Sequence, residues 1–99
     1  MIIAVDFDGT LCQDKYPNIG KPRKALIRFV KLHKLAGAKL ILWTCRSDEK
    51  LKEAVDWCKD QGIEFDAVND NLKDQIEKHN NNCRKVYADM YIDDKSIKL

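Results

Sequence analysis

The sequence predicts an α/β fold in which a small parallel sheet of about four strands lies between helices. Short apolar segments rich in β-branched residues alternate along the chain with amphipathic segments of helical period, and glycines or other turn-forming residues separate them. Strands in such an alternation are joined by right-handed crossovers, so they pair in parallel and place helices on both faces of the sheet. With 99 residues, the chain is predicted to form a single domain over residues 1–99.

The first half of the chain predicts a strand, a helix and a second strand. The segment Ile2–Phe7 is apolar apart from Asp6, as expected of a strand that is covered on both faces. Pro22 opens a segment of helical period that Gly37 ends. The positions predicted to pack on the sheet from this helix are apolar: Ala25, Leu26, Phe29, Val30 and Leu32. Lys39–Trp43 then reads as a second buried strand.

The second half repeats this alternation. Ser47 is a predicted N-cap of a helix that ends at Gly62, and Glu64–Val68 is a weaker strand pattern. A short helix is predicted around Leu72–Lys78, and Val86–Ile92 is the predicted last strand. Ligands of such sheets bind beyond the carboxyl ends of the strands, so the polar residues that follow each strand are the candidates for a site.

The composition indicates a globular protein, and we expect it to be cytoplasmic and not membrane-bound. Hydrophobic residues make up 44% of the chain and charged residues 34%, which is unlike disordered or collagenous proteins. The first apolar run, Met1–Val5, is too short for a signal peptide or a membrane span. The cysteines are irregularly spaced with no C-x-x-C pair, so reduced thiols are predicted and neither a disulfide framework nor a zinc site is favoured.

Basic residues are concentrated in one part of the chain. The net charge is only +2, but no acid lies between Lys15 and Ser47. On the first predicted helix, Lys24, Arg28 and Lys31 recur on one side and form a basic stripe. One hypothesis is that this stripe binds nucleic acid or another polyanion. An ordinary solvated helix face is the favoured interpretation, because no aromatic residues interleave with the basic ones as stacking platforms.

Four carboxylates follow the ends of predicted strands. Asp6 and Asp8 lie at the end of the first strand, and Asp93 and Asp94 follow the last one. Like charges that converge on one crevice repel each other and stay ionised together only with a cation. Oxygen ligands of this kind favour a hard divalent metal, most simply Mg²⁺. The sequence therefore predicts a magnesium site at the carboxyl edge of the sheet.

Three segments in order resemble the motifs of a known family. Asp6–Leu11, with the sequence DFDGTL, resembles the opening motif of the haloacid dehalogenase superfamily of phosphohydrolases. Leu40–Thr44 resembles its second motif, an apolar strand that ends in Thr or Ser, and Tyr91–Asp94 resembles its acidic fourth motif. The resemblance implies a Rossmann-like, three-layer core and a Mg²⁺-dependent phosphomonoester hydrolase. Larger members carry a cap domain, whereas only Cys12–Lys21 follows the opening motif here, so we expect a flap and no cap.

The resemblance also implies roles for the acidic residues. Asp6 is the expected nucleophile, which forms an aspartyl-phosphate that water later hydrolyses. Asp8 is expected to protonate the leaving oxygen and then to deprotonate the water. The expected metal ligands are Asp6, the backbone carbonyl of Asp8, Asp93 and Asp94. Which member of the last pair binds the metal directly, and which acts through water or as an orienting group, stays open.

Phosphate binding is assigned to a threonine, its neighbour and a lysine. Thr44 is expected to offer its hydroxyl, and the backbone N–H groups that follow, beginning at Cys45, to offer further donors. The Cys45 thiol itself is interpreted as a bystander. The resemblance implies a lysine that holds both phosphate and nucleophile, and Lys85 is our assignment because it shortly precedes the last strand. Lys73 and Lys78 are competing assignments.

The substrate is expected to be a phosphorylated molecule whose identity the motifs do not specify. The resemblance implies that proteins without a cap either take large substrates or use a neighbouring subunit as a lid, and exposed sheet edges favour such a homo-oligomer. The basic stripe adds the prediction that the substrate is polyanionic. Two alternatives remain: a phosphotransferase of the same family and a non-catalytic polyanion-binding module. Neither glycine-rich fingerprint, G-x-G-x-x-G or G-x-x-x-x-G-K-[ST], is present, which argues against dinucleotide oxidoreductases and P-loop enzymes.

Overall fold

A four-stranded parallel sheet lies at the centre of the computed structural model, which describes residues 1–97. Its two inner strands are β1 (Ile2–Val5) and β4 (Lys39–Leu42), and its edge strands are β5 (Ala67–Val68) and β6 (Met90–Ile92). The order across the sheet is β5-β4-β1-β6, and every neighbouring pair is parallel. The predicted α/β fold with a small parallel sheet is therefore confirmed.

Helices and loops cover both faces of this sheet. One face packs against α1 (Lys24–Leu35) and α2 (Asp48–Asp60), and the other is covered by the segment that begins α3 (Lys73–His79) and by residues before β6. Side chains that alternate along each strand point to opposite faces, so the core has two parts. The larger part includes Ile3, Val5, Phe7, Leu40, Leu42, Ile27, Val30, Ala54 and Cys58, and the smaller part Ile2, Ala4, Ile41, Leu72, Val86 and Ala88.

The segment predicted to be a flap forms an antiparallel hairpin. Its strands are β2 (Cys12–Lys15) and β3 (Asn18–Pro22), which pair with each other and not with the main sheet. Cys12 at the base is buried in the core, whereas the turn at Tyr16 is exposed. Between the opening motif and α1, the chain thus holds a hairpin and no cap domain, as the sequence predicts.

The first helix differs from its sequence prediction at its start and in its buried face. Pro22 ends β3, and α1 begins at Lys24 after the N-cap Arg23. The buried residues of α1 are Ile27 and Val30, whereas Ala25 and Leu32 are exposed. Phe29 is also 38% exposed. The contact of α1 with the sheet is narrow and buries only some of its apolar residues, so the predicted apolar face was too wide. The prediction also omitted Ile27, which is buried.

The last strand and one helix cap also differ. The predicted strand Val86–Ile92 is a strand only over Met90–Ile92. Val86 and Ala88 are buried against the second face of the sheet, but they belong to an irregular segment. Asp89 connects this segment to Ile2 through two hydrogen bonds. The N–H of Asp89 donates to the carbonyl of Ile2 at 2.8 Å, and the N–H of Ile2 donates to Asp89 Oδ2 at 2.7 Å. The apolar residues Val86 and Ala88 therefore indicate burial in the core and not a strand.

The predicted N-cap Ser47 occupies that position, although its side chain makes no capping hydrogen bond. All four cysteines have free thiols, with Cys12 and Cys58 buried and Cys45 and Cys83 exposed. Within residues 1–97, no helix combines the length and the apolar character needed to cross a membrane.

Candidate active site

The carboxyl edge of the sheet brings most of the predicted site residues together. Asp6 follows β1, Thr44 follows β4, and Asp93 and Asp94 follow β6. The chain passes from β1 to β4 and β5 on one side and then returns to β6 on the other, so strand order reverses at β1. Open α/β sheets bind ligands at such a reversal. A cavity of about 540 Å³ lies here, lined by Asp6, Asp8, Asp14, Tyr16, Thr44, Cys45, Arg46, Asp93, Asp94 and Lys95.

Three of the four predicted carboxylates lie close enough together at this edge to share one metal ion. Asp6, Asp93 and Asp94, which we call the acidic cluster, each have a ligand oxygen within 4.8 Å of the others. Asp6 is half-buried and the other two are exposed. Burial, and to a lesser extent the charges of Asp93 and Asp94, raise the pKa of Asp6 to about 6, against hydrogen bonds from the Phe7 backbone and Thr10 that lower it. The protein thus leaves negative charge concentrated at this point.

The residues around the acidic cluster orient its carboxylates, and a basic side chain pairs with only one of them. Thr10 donates from its hydroxyl to Asp6 Oδ2 at 3.2 Å. Lys95 donates from its backbone N–H to Asp93 Oδ1 at 2.9 Å and from Nζ to Asp94 Oδ2 at 3.1 Å, and this bond lowers the pKa of Asp94. In the part of the chain that the structure describes, no Lys or Arg forms an ion pair with Asp6 or Asp93.

The donor atoms of the acidic cluster suit a hard divalent cation. Mg²⁺ prefers carboxylate oxygens and is commonly bound through one or two carboxylates, with waters completing its coordination. A cation among the three carboxylates would also remove their mutual repulsion. Asp6, Asp93 and Asp94 are therefore able to hold a metal ion at the edge of the sheet.

Gly9 allows the opening motif to pass close to the end of β6. Its φ is +83°, a backbone conformation that side chains disfavour. A Cβ atom at this position would also overlap the carboxylate of Asp94. The glycine of the motif is therefore needed both for the turn and for the approach of Asp94 to Asp6.

Asp8 does not join the acidic cluster, because Arg46 binds it. Arg46 donates from Nε to Asp8 Oδ2 and from Nη2 to Asp8 Oδ1, both at 2.8 Å. The Arg46 side chain is 1% exposed and that of Asp8 18%. The hydrogen bond to Asp8 raises the pKa of Arg46 above its usual value. All four carboxylates line one cavity, but only three of them form the acidic cluster, since the charge of Asp8 is compensated by the guanidinium.

The residues predicted to bind phosphate fall into two groups. Thr44 and Cys45 line the cavity of the acidic cluster. The N–H of Thr44 donates to Asn69 Oδ1 at 2.8 Å, and the Thr44 hydroxyl accepts from the N–H of Arg46 at 3.2 Å. The backbone donor of Thr44 is therefore already used, while its hydroxyl proton faces no described acceptor. Phosphate binding by Thr44 and Cys45 stays a prediction.

Lys85 lies apart from the acidic cluster. It lines a different cavity of about 220 Å³, together with Asn71 and His79, and its Nζ is 5.9 Å from the ring centroid of Tyr91. The Tyr91 hydroxyl donates to the carbonyl of Val86 at 2.6 Å, which holds the segment after Lys85 against the second face of the sheet. The competing residues Lys73 and Lys78 are exposed on α3 and do not line the cavity of the cluster either. This position does not support the predicted contact of Lys85 with phosphate.

Sequence reasoning missed two residues that organise the site. Arg46 directly follows Thr44 and Cys45, and its basic side chain so close to a strand end is the sequence signal for its place in the site. Asn69 adopts φ +51°, accepts at Oδ1 from the N–H of Thr44 and donates from Nδ2 to the carbonyl of Arg46 at 3.5 Å. Asparagine tolerates this left-handed conformation better than most residues, which explains its presence there.

A second cavity adjoins the acidic cluster on the side of α1. It measures about 610 Å³, and Asp93 and Asp94 line it together with Arg23, Lys24 and Phe29 among others. The basic stripe residues Lys24, Arg28 and Lys31 are all exposed on α1. Polyanion binding by the stripe and a homo-oligomeric lid remain predictions.

Comparison with models of protein families gives no match for this chain, and comparison with curated proteins gives none either. A solved structure, described as that of a conserved protein from Bacteroides thetaiotaomicron, is similar to it. The two share 41% sequence identity with a TM-score of 0.87, over 98% of this chain and 78% of the other. The similarity therefore extends over the whole sheet and over both strand ends that form the acidic cluster.

Proposed function

We propose that this chain, which belongs to the same family as the conserved Bacteroides thetaiotaomicron protein, is a Mg²⁺-dependent phosphomonoester hydrolase. The observation that supports this most is the placement of Asp6 within 4.8 Å of Asp93 and Asp94 at the point where strand order reverses. The resemblance of its motifs to those of the haloacid dehalogenase superfamily supports the same reaction.

Asp6 is the proposed nucleophile. One carboxylate oxygen attacks the phosphorus of the monoester while the bond from phosphorus to the leaving oxygen breaks, which gives an aspartyl-phosphate and an alcohol. Water then attacks the same phosphorus, the bond to the Asp6 oxygen breaks, and inorganic phosphate leaves. The hydrogen bond from Thr10 to Asp6 Oδ2 holds the carboxylate in one orientation for both steps.

Asp6, Asp93 and Asp94 are the proposed ligands of the metal. When bound, Mg²⁺ would neutralise charge between the nucleophile and the phosphate dianion, which otherwise repel each other. The two bonds from Lys95 orient Asp93 and Asp94 toward this task before a substrate arrives.

Asp8 is the proposed proton carrier. It lines the same cavity as Asp6 and is partly exposed, so a substrate can reach it. Its carboxylate would take a proton from the attacking water in the second step, and in the first step it would give a proton to the leaving oxygen after protonation has displaced one of its two hydrogen bonds from Arg46. Thr44 lines the cavity on the side of β4 and is the proposed hydroxyl donor to the phosphate.

Phosphate release from a panel of monoesters with Mg²⁺ tests this function. We expect Asp6→Asn to lower kcat by at least about 10³-fold, because the amide cannot form the covalent intermediate. Asp60→Asn, at the exposed end of α2, is the matched control and should keep the wild-type rate. A wild-type protein without turnover on any ester would contradict the proposal, and an active Asp6→Asn variant would contradict the covalent mechanism.

The same assay separates a hydrolase from a phosphotransferase. With an alcohol such as glycerol present in excess, a hydrolase converts all released phosphoryl groups to inorganic phosphate. A phosphotransferase would instead form phosphorylated alcohol. We expect inorganic phosphate and no phosphorylated alcohol.

A further inference from the structure

The hairpin contributes a part of the site that the catalytic roles above do not use. Its residues Asp14 and Tyr16 line the cavity of about 540 Å³ together with the acidic cluster and Asp8. The rest of the lining follows the ends of β1, β4 and β6. The hairpin therefore forms a wall of this cavity that is separate from the strand ends.

This wall lies where a leaving group is expected. The phosphoryl group has to contact Asp6 at the end of β1, and in a displacement at phosphorus the attacking and leaving oxygens lie roughly in line. The leaving group therefore extends away from the end of β1 and into the rest of the cavity. Asp14 and Tyr16 are thus placed to contact the leaving group, whereas the residues at the strand ends contact the phosphate.

Tyr16 offers an aromatic ring that is exposed and yet held in place. The residue is 60% exposed, and the guanidinium carbon of the buried Arg46 lies 5.1 Å from its ring centroid. Arg46 also packs against Phe7, with 5.0 Å from its guanidinium carbon to that ring centroid. It donates to the carbonyls of Pro17 at 3.4 Å and Asn18 at 3.1 Å, which holds the turn of the hairpin. A surface fixed in this way binds a ligand without a further cost of ordering.

The charges of the lining limit which leaving groups fit. Five carboxylates line the cavity but only two basic side chains, of which Arg46 pairs with Asp8 and Lys95 with Asp94. The metal ion proposed above would offset charge in the acidic cluster, but Asp14 lies outside that cluster. Within residues 1–97, Asp14 also forms no ion pair. A negatively charged leaving group would therefore meet an uncompensated carboxylate, which disfavours the polyanionic substrate that the basic stripe predicts.

On the premise of the hydrolase function above, we propose that the hairpin selects the leaving group. The Tyr16 ring stacks on a flat aromatic ring of the substrate alcohol, and the Asp14 carboxylate excludes alcohols that carry a negative charge. The substrate class is a phosphate monoester of an uncharged or cationic aromatic alcohol. Stacking accepts many kinds of ring, because every aromatic ring has a π-face.

Three esters that differ only in the alcohol test this selection. Benzyl phosphate, cyclohexylmethyl phosphate and 4-carboxybenzyl phosphate all release a primary alcohol, so their leaving oxygens have similar needs for a proton. We expect wild-type kcat/KM to be about tenfold higher for benzyl phosphate than for either of the other two. Equal rates for the benzyl and cyclohexylmethyl esters would overturn the stacking role. Equal rates for the benzyl and 4-carboxybenzyl esters would overturn the exclusion by Asp14.

Variants of Tyr16 show whether its ring causes the preference. Tyr16→Leu should lower the ratio of kcat/KM for the benzyl ester to that for the cyclohexylmethyl ester by about tenfold, whereas Tyr16→Phe keeps the ring and should keep the ratio. The ratio cancels any loss of rate that both esters share. Tyr87→Leu is the matched control, because Tyr87 is 48% exposed and does not line this cavity. An unchanged ratio in folded Tyr16→Leu would overturn the stacking role.

Asp14→Asn tests the exclusion of negative charge. Two like charges about 4 Å apart in water repel by an amount that corresponds to about a fivefold change in rate. At low ionic strength we therefore expect Asp14→Asn to raise kcat/KM for the 4-carboxybenzyl ester about fivefold relative to the benzyl ester. Asp60→Asn, on the exposed end of α2, is the matched control and should not change this ratio. The same ratio in Asp14→Asn as in wild type would overturn the role of Asp14.

Binding of phosphonates separates this proposal from the hydrolase function. In 2-phenylethylphosphonate and 2-cyclohexylethylphosphonate a carbon replaces the ester oxygen, so neither is hydrolysed. Isothermal titration calorimetry with Mg²⁺ should give a Kd about tenfold lower for the phenyl compound in wild type, and similar Kd values in Tyr16→Leu. This preference without turnover of any ester would overturn the hydrolase function and leave the selection by the hairpin. Asp6-dependent turnover without any preference for aromatic rings would overturn the selection and leave the hydrolase function.

Discussion

The opening motif places two aspartates at the same edge of the sheet in opposite surroundings. Asp6 lies with Asp93 and Asp94, and within residues 1–97 no basic side chain forms an ion pair with it. Asp8, two positions later, has both oxygens on the guanidinium of Arg46. The charge of Asp6 is thus left uncompensated at a place where a cation fits. The charge of Asp8 is compensated by an ion pair that fixes the position of its carboxylate.

The neighbouring strands determine this difference. Asp6 follows β1 on the side where β6 ends, and the end of β6 contributes two acids. Asp8 comes after Phe7, next to the base of the hairpin and close to the end of β4, which contributes Arg46. A two-residue shift along the chain therefore moves a carboxylate from an acidic to a basic environment. Two aspartates of one motif can differ in role because their surroundings differ.

Removing each charge should change stability in opposite directions, and this is the largest effect we expect. Asp8→Asn leaves Arg46 buried without its counter-charge, which costs about 3–5 kcal/mol in comparable pairs. Asp6→Asn relieves repulsion in the acidic cluster and should raise the stability of the metal-free protein. Urea unfolding in the presence of a chelator measures both.

The matched control for this comparison is Asp60→Asn, which should lie within about 0.5 kcal/mol of wild type because Asp60 is exposed. If both site variants destabilised the protein to a similar degree, the contrast between an uncompensated and a compensated aspartate would not hold.

The sequence was sufficient for most of the fold. The apolar run in Lys39–Leu42 is typical of a strand buried in a parallel sheet, and it forms one. The order of strands and helices along the chain leaves few alternative topologies. Two local details were wrong because tertiary contacts decided them. Val86 and Ala88 are buried without being in a strand, and the apolar surface of α1 is wider than the face that the sheet can cover.

The site was predictable where strand ends alone define it. Asp6, Asp93 and Asp94 come together because β1 and β6 are parallel neighbours, which the predicted topology already implies. The contacts of Arg46 could not be predicted, because its ion-pair partner Asp8 lies 38 positions away along the chain. Lys85 was assigned by its distance along the chain from the last strand, and that distance does not determine the face on which its segment packs.

Magnesium should stabilise the protein through the uncompensated aspartate. A ligand that binds only the folded state contributes about 2.7 kcal/mol at a concentration 100 times its Kd. We expect Tm to rise with Mg²⁺ in wild type, and the rise to be lost in Asp6→Asn. Asp8→Asn should keep it, because the Asp8 side chain is outside the acidic cluster. Thermal denaturation at increasing Mg²⁺ concentrations measures these Tm changes. A wild-type Tm that does not change with Mg²⁺ would contradict the assignment of the metal ligands.

The smallest expected effect is the pH dependence of the gain from Asp6→Asn in the metal-free protein. The pKa of Asp6 rises from 3.8 to about 6 on folding, chiefly through burial. A group whose pKa is raised on folding binds more protons in the native state between these values, so its contribution to stability falls as pH rises from about 4 to 6.

Above pH 6 Asp6 is ionised in both states, and its charge destabilises the native state in full. Below pH 4 it is protonated in both, and the penalty is absent. Asp6→Asn should therefore raise the free energy of unfolding, measured in urea, more at pH 7.5 than at pH 4.5, by an amount on the order of 1 kcal/mol once solvent screening of this half-buried group is allowed for. Asp60→Asn measured at the same two pH values corrects for changes common to the whole protein. A gain that is equal at both pH values would mean that Asp6 is not the residue whose ionisation opposes folding, and the contrast with Asp8 would then rest on hydrogen bonding alone.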